Sequence, residues 1–453
     1  MKNLSSGRDE ENERVQSHIL PDLKKSIIFS ITFGFFGVNM AFALQSSMMG
    51  RIFQTLGADP NNLGWFFILP PLAGMIIQPL IGYYSDRTWT KYGRRMPYLL
   101  IAGPIGAIVL ILLPNAGSFG FGYASLAALM FGAVMTLFMD VTSNACMQPY
   151  KMVIGDMVNE GQRDMAWSWQ QAFSNIGGII ATLLPFLLTL FGVANVAPKG
   201  EVPMTVKLAY YIAAAALLIA SIWTVWSVKE YEPEKFNYYH GISEKTKQSR
   251  LNLWQLLKSA PKQFWQISLV QFFNWFAIMY LWTYSTGAIA SNVWNTSDPS
   301  SAGYQAAGNW YGVLFCVQSI ASVIFGMVMA KSKPHQRKFW YSFGLIIGGI
   351  GFISIFFIHN QWLLIISFLL IGINNLTMNT QPFTLLTEAI DGKNAGSYLG
   401  LFNISICLPQ IVASVVSFGL FPLLGSSMPA MLFFAGVMLI IGAFSVRFIK
   451  SKF

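Results

Sequence analysis

Long apolar segments without a charged residue restrict what this chain can fold into. Charged residues make up 11% of its 453 residues and hydrophobic residues 54%, whereas about 25% of the residues in a typical soluble domain are charged. About 20 consecutive apolar residues are enough for one helix to cross a bilayer, and a helix satisfies its backbone hydrogen bonds internally. The sequence therefore predicts an all-α membrane protein.

Twelve apolar segments are close to the length that a crossing needs. They are residues 26–50, 62–84, 97–114, 121–147, 166–191, 207–227, 264–290, 307–330, 339–358, 362–383, 396–422 and 428–448. Of the 29 lysines and arginines, Arg51, Lys199 and Lys207 lie in one set of loops, and the others lie at the termini or in the alternate loops. Positive residues accumulate in cytoplasmic loops. Both termini are therefore expected in the cytoplasm, in a multi-pass protein of the plasma membrane.

The segments divide into two halves of six, separated by a long charged loop. The stretch QPYKMVIGD at 148–156 recurs as QPFTLLTE at 381–388, each at the end of the fourth segment of its half, and Asn175 and Asn403 occupy the fifth segments. The predicted organisation is a cytoplasmic tail (1–25), a first half (26–227), a cytoplasmic linker (228–263), a second half (264–448) and a cytoplasmic C-terminus (449–453). Two parallel six-helix halves are the layout of major facilitator transporters, which bind substrate near the midplane.

One acidic residue stands out inside an apolar segment. Asp140 occurs in MTLFMDVTSNACMQPYK, and Asn144, Gln148 and Lys151 follow it at spacings that put all four on one helical face. An ionisable group at membrane depth is costly and is therefore a candidate functional residue. Because desolvation favours a neutral carboxyl, Asp140 is predicted to take up and release a proton as access alternates. The alternative is a structural carboxylate that pairs with Lys151 or bonds a neighbouring helix.

Amide and indole side chains are spread over other segments. Amides donate and accept hydrogen bonds as sugar hydroxyls do, and aromatic faces cover the C–H surface of a sugar. Together with Asn144, Gln148 and Lys151, the candidate substrate-binding residues are Asn39, Gln45, Gln171, Asn175, Asn274, Trp275, Asn375, Asn403 and Gln410. Apart from Arg447, at the end of the last segment, no predicted segment contains an arginine, which an anion carrier would be expected to use. The set favours a neutral polar substrate, with interhelical hydrogen bonding as the alternative for any single amide.

A charged stretch, SDRTWTKYGRRMPY at residues 85–98, connects the second and third segments. Its glycine permits a tight turn and Pro97 suits the first turn of a helix. Positive charge here partly reflects topology. We expect Asp86 to bond a helix N-terminus or a basic side chain in one state and to release it in the other. The predicted gating residues are Asp86, Arg87, Gly93, Arg94 and Arg95.

Other function classes find little support in the sequence. The four histidines lie in loops or at segment ends, and the three cysteines are far apart within apolar segments. Neither a metal-ligand spacing nor a nucleophile with its base is recognisable, so an enzyme, a metal site and a cofactor are not expected. The basic residues are dispersed in short clusters, which indicates membrane orientation rather than nucleic-acid binding. The expected partners are the lipid bilayer and a small-molecule sugar, and the expected state is a monomer.

Four stretches resemble the sucrose–proton symporter family, in the glycoside–pentoside–hexuronide-related branch of the major facilitators. They are GVNMAFALQSSMMGRIFQTLG (37–57), QPLIGYYSDR to YGRRMPYLLIAG (78–103), MDVTSNACMQPYK to GD (139–156) and GLFNISICLPQIVAS (400–414). The most specific marker is the spacing of five residues between DR and GRR, where most facilitators have one. The resemblance covers most of the first half and the tenth and eleventh segments.

The resemblance implies proton-coupled import of a disaccharide or related glucoside, of the maltose or sucrose type. Asp140 matches the family's coupling carboxylate. Lys151 matches an arginine that contacts sugar, but lysine lacks the guanidinium fork. The seventh segment lacks the acidic residues of plant and animal members, so coupling is expected to rest on Asp140 alone, and the short loops favour a bacterial inner membrane. A sodium-coupled or uncoupled sugar carrier is the near alternative, and a drug exporter is a more distant one.

Overall fold

Helices dominate the computed structural model, which describes residues 20–85, 87–239, 258–329, 333–389, 398 and 401–450. A short helix, Pro233–Tyr239, follows the sixth of the twelve long helices in these ranges. The long helices are α1 (Lys25–Thr55), α2 (Gly64–Ser85), α3 (Met96–Leu112), α4 (Leu126–Met157), α5 (Glu160–Leu190), α6 (Met204–Ser227), α7 (Lys262–Trp294), α8 (Ala302–Met329), α9 (Arg337–Phe357), α10 (Leu364–Ala389), α11 (Ile404–Leu423) and α12 (Met428–Ser445).

Each long helix coincides with one of the twelve predicted segments. Ten of them are long and apolar enough to cross a membrane. The other two, α7 and α10, contain 33 and 26 residues, which is more than the ~20 residues that a crossing needs. The prediction of an all-α membrane protein with twelve spanning helices is confirmed.

Some helix ends differ from the prediction because a helix can continue after its apolar run stops. Helix α4 extends ten residues beyond the predicted end at 147, through Gln148 and Lys151, which are both good helix formers. Helix α1 continues to Thr55, so Arg51 lies inside a helix instead of in the predicted loop. Helix α11 begins at Ile404 rather than at 396, and part of the predicted start lies outside the described residues.

The two halves repeat the same pattern of helix packing. In the first half α1 packs on α5 and α6, α3 packs on α6, and both α2 and α3 pack on α4. In the second half α7 packs on α11 and α12, α9 packs on α12, and both α8 and α9 pack on α10. Between the halves α2 contacts α11 and α5 contacts α8. Helix α2 occupies the same position in the first half as α8 in the second, and α5 the same position as α11. The two contacts are therefore equivalent, and the bundle has the pseudo-symmetry expected of a major facilitator.

Glycines allow the closest helix contacts. A Cβ atom at Gly37 in α1 would lie 2.6 Å from the Cα atom of Leu217 in α6. A Cβ atom at Gly50 would lie 2.7 Å from the carbonyl oxygen of Thr283 in α7, across the boundary between the halves. Small residues at such positions let helix backbones approach in a membrane, where dispersion and hydrogen bonding replace the hydrophobic effect.

Candidate functional site

A cavity of about 470 Å³ lies between the halves, near the middle of the bundle. Helices α1, α2 and α4 line it from the first half, and α7, α10 and the start of α11 line it from the second. The lining residues are Asn39, Phe42, Gln45, Ser46, Met49, Phe67, Pro70, Pro71, Gly74, Gln78, Asp140, Asn144, Met147, Lys151, Trp275, Met279, Trp282, Asn379, Phe383, Asn403, Ile406, Cys407 and Gln410. Its volume falls in the range of about 300–1,000 Å³ that is usual for small-molecule sites.

Asp140 lies in the cavity wall and is held by two amides. Gln45 Nε2 in α1 donates to Asp140 Oδ1 at 3.3 Å, and Asn144 Nδ2, one helical turn away, donates to Asp140 Oδ2 at 2.8 Å. The chain of amides continues, since Gln78 Nε2 in α2 donates to Asn144 Oδ1 at 2.6 Å and Gln148 Nε2 donates to Gln78 Oε1 at 2.8 Å. The carboxyl is only 6% exposed. A single acidic group is thus buried at the meeting point of α1, α2 and α4.

Lys151 lies on the same face of α4 but does not neutralise Asp140. Eleven residues of helix separate the two, which corresponds to about 16 Å along the helix axis. Lys151 is exposed in the cavity wall, and no ion pair involving it occurs in the described part of the chain. Of the structural alternative, the pairing of Asp140 with Lys151 is absent from the described residues, whereas the bond to a neighbouring helix is present, from Gln45 in α1. Asp140 bonds amides, and Lys151 presents a separate positive charge.

Two indole rings form the opposite wall. Trp275 and Trp282 in α7 meet edge to face, with ring centroids 6.2 Å apart. Trp275 Nε1 and Gln45 Oε1 are both buried and have no hydrogen-bond partner among the described residues. One is a donor and the other an acceptor. The cavity therefore offers an unused donor in α7 and an unused acceptor in α1 to a bound molecule.

The predicted site residues fall into two groups. Those that line the cavity are Asn39, Gln45, Asp140, Asn144, Lys151, Trp275, Asn403 and Gln410. Those that lie outside its lining are Gln148, Gln171, Asn175, Asn274 and Asn375. Gln148 donates to Gln78, which lines the cavity. Gln171 donates to Asn175 along α5 at 3.0 Å.

Asn274 illustrates why some amides point away from the cavity. Asn274 is fully buried, donates to Gln271 at 3.1 Å and accepts from Asn374 in α10 at 3.2 Å. Gln271 in turn donates to the carbonyl of Met378 in α10 at 3.2 Å. Asn375 in α10 likewise donates to Ser322 in α8 at 3.4 Å. These amides join helices within the second half, as polar residues commonly do in membrane bundles.

Several lining residues were not among the predicted site residues. Apolar examples are Phe42, Phe67 and Phe383. Sequence alone gave no signal for them, because an apolar side chain in a spanning helix is equally typical of a lipid-facing or packed position. Gln78 and Asn379 are polar, and they could have been selected by the rule that selected Gln45.

Hydrogen bonds between the halves occur at the end of the bundle where α1 ends, here called the distal end. Arg51 in α1 is fully buried and donates from Nε to Gln305 Oε1 and from Nη1 to Asn309 Oδ1 in α8, both at 2.8 Å. Its Nη2 donates to Asn195 Oδ1, after α5, at 2.9 Å. No carboxylate forms an ion pair with Arg51 in the described ranges. These bonds close the distal end, whereas Lys151 and Asn379, toward the other end, are exposed.

The other end, here called the basal end, carries the α2–α3 loop. Arg94 Nη2 and Arg95 Nε bond the same oxygen of Asp156 in α4, at 2.8 and 3.0 Å, and Arg95 also bonds Ser85. The guanidinium of Arg94 stacks on the ring of Phe236, 4.1 Å from its centroid. Both arginines therefore tie the loop to their own half. Asp86, the predicted switching residue, lies outside the described residues, and the gating role of the loop stays a prediction.

Glu230, just after α6, caps the start of α3. Its Oε1 accepts from the backbone N–H groups of Arg95 at 2.7 Å and Met96 at 2.9 Å. Gly93 has a φ angle of +113°, and a Cβ atom there would lie 2.7 Å from Glu230 Oε1, so the turn and the cap both require glycine. Burial raises the pKa of the Glu230 carboxyl above its usual value, although the backbone donors act in the opposite direction.

Comparisons with known proteins agree with this architecture. A family model described as Major Facilitator Superfamily matches residues 31–414. The sucrose transport protein SUC4 of Arabidopsis thaliana is 22% identical over 421 residues, which covers 84% of this chain and 81% of that protein. The general alpha-glucoside permease of Schizosaccharomyces pombe is 23% identical over 275 residues, covering 58% of this chain and 49% of that protein.

Solved structures show the same fold at low sequence identity. The crystal structure of the nucleoside transporter NupG superposes with a TM-score of 0.68 at 14% identity, and the alignment covers 93% of this chain and 98% of that chain. The inward-open structure of the xylose transporter XylE from E. coli gives a TM-score of 0.65 at 14% identity, with 94% and 96% covered.

Proposed function

The chain belongs to the Major Facilitator Superfamily, and we propose that it imports a neutral disaccharide or related glucoside together with protons. Membership in this family makes it a multi-pass membrane transporter rather than an enzyme. The observation that carries the proposal is the central cavity, in which one buried carboxyl, several amides and two indoles converge between the halves.

The lining supports a neutral, hydroxyl-rich substrate. Gln45, Asn144, Trp275 and Gln410 offer donors and acceptors, and the hydroxyl groups of a saccharide both donate and accept. Trp275 and Trp282 provide aromatic faces and edges for its apolar C–H surface. The sucrose transport protein and the alpha-glucoside permease among its relatives support the same substrate class.

Asp140 supports coupling to a cation. Burial without a cationic partner favours the protonated form of a carboxyl, whereas the N–H groups that Gln45 and Asn144 donate to Asp140 favour the ionised form. We infer that Asp140 takes up a proton when the distal side is open and releases it through the basal side. A sodium ion is the alternative coupling ion, since carboxylate and amide oxygens also suit a hard cation.

The two ends of the bundle support alternating access. Arg51 holds the distal end closed, and the exposed Lys151 and Asn379 indicate access from the basal end. The accumulation of lysine and arginine at the basal end supports a cytoplasmic position for it. The structure then corresponds to an inward-open state, in which the substrate leaves toward the cytoplasm.

Uptake into proteoliposomes tests this function. Labelled maltose and sucrose should accumulate when the outside is acidic, and a sodium gradient alone should have no effect. Asp140→Asn should abolish accumulation but keep the exchange of labelled for unlabelled sugar, because the site is intact and only the proton is lost. Asp164→Asn, which removes an exposed carboxylate in α5, is the matched control and should transport normally. Accumulation by Asp140→Asn would exclude it as the coupling group, and accumulation driven by sodium would replace the proton.

A further inference from the structure

A second cavity, here called the distal pocket, lies between the halves at the distal end and measures about 350 Å³. None of its lining residues lines the central cavity. Gln54 at the end of α1 and the following Pro60 and Asn61 come from the first half. The second half contributes the ends of α7 and α11, the starts of α8 and α12, and the loops beside them. The distal pocket is therefore a separate space that both halves enclose.

The lining of the distal pocket is polar and uncharged. Its polar residues are Gln54, Asn61, Ser291, Ser297, Tyr304, Ser426 and Ser427, and no lining residue is acidic or basic. Phe421 forms an apolar wall, and its ring is fixed by stacking on Tyr284 with centroids 5.5 Å apart. Hydroxyls and amides beside the aromatic rings of Tyr304 and Phe421 match a saccharide.

Two buried polar groups in the lining lack protein partners. Gln54 is 1% exposed and Tyr304 is fully buried. Gln54 Nε2 and Tyr304 Oη form no hydrogen bond with any described residue. Buried polar side chains are nearly always hydrogen-bonded, and an exception needs an explanation. A ligand oxygen bound between α1 and α8 would accept from both.

We propose that the distal pocket is a second saccharide site, which forms only while the distal end is closed. The ligand class rests on the proposed function, whereas the site itself rests on the pocket and its two unpaired groups. An occupant contacts Gln54 in one half and Tyr304 in the other, so it must leave before the distal end opens. Bound saccharide therefore delays the return to the state that loads substrate, and uptake slows at high distal concentration.

Binding stoichiometry of the purified full chain tests the proposal. Equilibrium dialysis with labelled maltose and sucrose should give two sites per chain. Gln54→Met keeps the length of the side chain without its amide, and Tyr304→Phe removes one oxygen. Each should weaken one site at least tenfold and leave the other unchanged. Tyr311→Phe is the matched control, because Tyr311 lies two turns along α8 and donates to the carbonyl of Leu281 at 3.3 Å.

The outcomes separate this proposal from the proposed function. One site per chain that survives Gln54→Met and Tyr304→Phe overturns the distal site and leaves the transporter assignment intact. Two sites that neither variant changes also overturn it. If no saccharide binds, both proposals are wrong. In proteoliposomes, the initial rate of uptake by the wild type and by Tyr311→Phe should fall at high external sugar concentration. The variant that combines Gln54→Met and Tyr304→Phe should instead reach a plateau.

Discussion

Replacing Arg51 by lysine should open the distal end of the bundle. The guanidinium donates from three nitrogens to Gln305, Asn309 and Asn195. Asn195 belongs to the same half as Arg51, so only the bonds to Gln305 and Asn309 cross between the halves. A hydrogen bond to a charged group contributes about 1.5–3 kcal/mol, so these two contribute roughly 3–6 kcal/mol. Burying an ion costs several kcal/mol. The two effects nearly cancel, and the closed distal end is therefore held by a small net free energy.

Lysine weakens the favourable hydrogen bonding but keeps the unfavourable desolvation of a buried charge. Its ammonium stays charged and buried, but it has no planar fork that reaches three acceptors in different directions. A lysine that reaches one acceptor loses at least one of the two bonds between the halves, which costs about 1.5–3 kcal/mol, while the desolvation cost remains. The closed-to-open ratio of the distal end should fall at least about tenfold, because each 1.4 kcal/mol corresponds to a factor of ten. Arg51→Met should shift the ratio less, because it removes the buried charge as well as the bonds.

Distances between spin labels on the two halves measure this ratio. Suitable positions are Asn62 and His359, which are exposed at the distal end of the first and second halves. Both would be changed to cysteine in a background where the three native cysteines are replaced by alanine; these are Cys146, Cys316 and Cys407. The starting protein should give the short distance, and Arg51→Lys should add a longer one. An unchanged distribution for Arg51→Lys, or a larger shift for Arg51→Met, would refute the reasoning.

Two further predictions concern the cavity wall and the basal end. Trp275→Phe should weaken sugar binding about tenfold, since it removes one donor worth about 1–1.5 kcal/mol. The melting temperature should fall only slightly, because Trp275 Nε1 has no partner among the described residues and only part of the aromatic contact with Trp282 is lost. Titration with sugar and a melting curve check both. The pKa of Glu230 is higher in the folded protein than its usual value. At a pH between these two pKa values, the native state therefore binds more protons than the unfolded state. Stability should therefore fall as the pH rises through this interval, and melting temperatures of Glu230→Gln should lack that slope.

The helices were predictable because the membrane imposes a strong constraint on sequence. A segment that crosses must be apolar for ~20 residues, and charges collect between such segments, so the twelve helices could be located. The face of α4 that carries Asp140 and Asn144 was also predictable, because helical periodicity places these residues together. Both line the cavity.

Features that depend on tertiary packing were not predictable. Arg51 follows a glycine at the end of an apolar run and has the sequence context of a loop residue, yet α8 encloses it. Gly308 makes the space, since a Cβ atom there would lie 2.5 Å from Arg51 Cδ. Asn274 and Trp275 are adjacent in α7, and one bonds α10 while the other lines the cavity. Helical periodicity shows which residues share a face of α7. It does not show which face contacts α10 and which lines the cavity, because this depends on where the neighbouring helices lie.

The hydrogen-bond partners of Arg51 are neutral amides. Neutral partners allow the distal end to open again in each transport cycle. A carboxylate in place of Asn309 would neutralise the buried guanidinium and bond it more strongly than an amide oxygen does. A substrate shifts an equilibrium only by the difference between its affinities for the two states. With neutral partners, opening loses hydrogen bonds but hydrates the buried charge, so the two states stay close in free energy. Asn309→Asp loses the bonds that Asn309 Nδ2 donates to the carbonyl of Pro185 at 3.3 Å and to Thr189 Oγ1 at 2.7 Å, but it pairs the buried charge of Arg51. Asn309→Asp should therefore stabilise the closed distal end and slow net uptake, and a variant that transports at the normal rate would show that closure of this end does not limit the cycle.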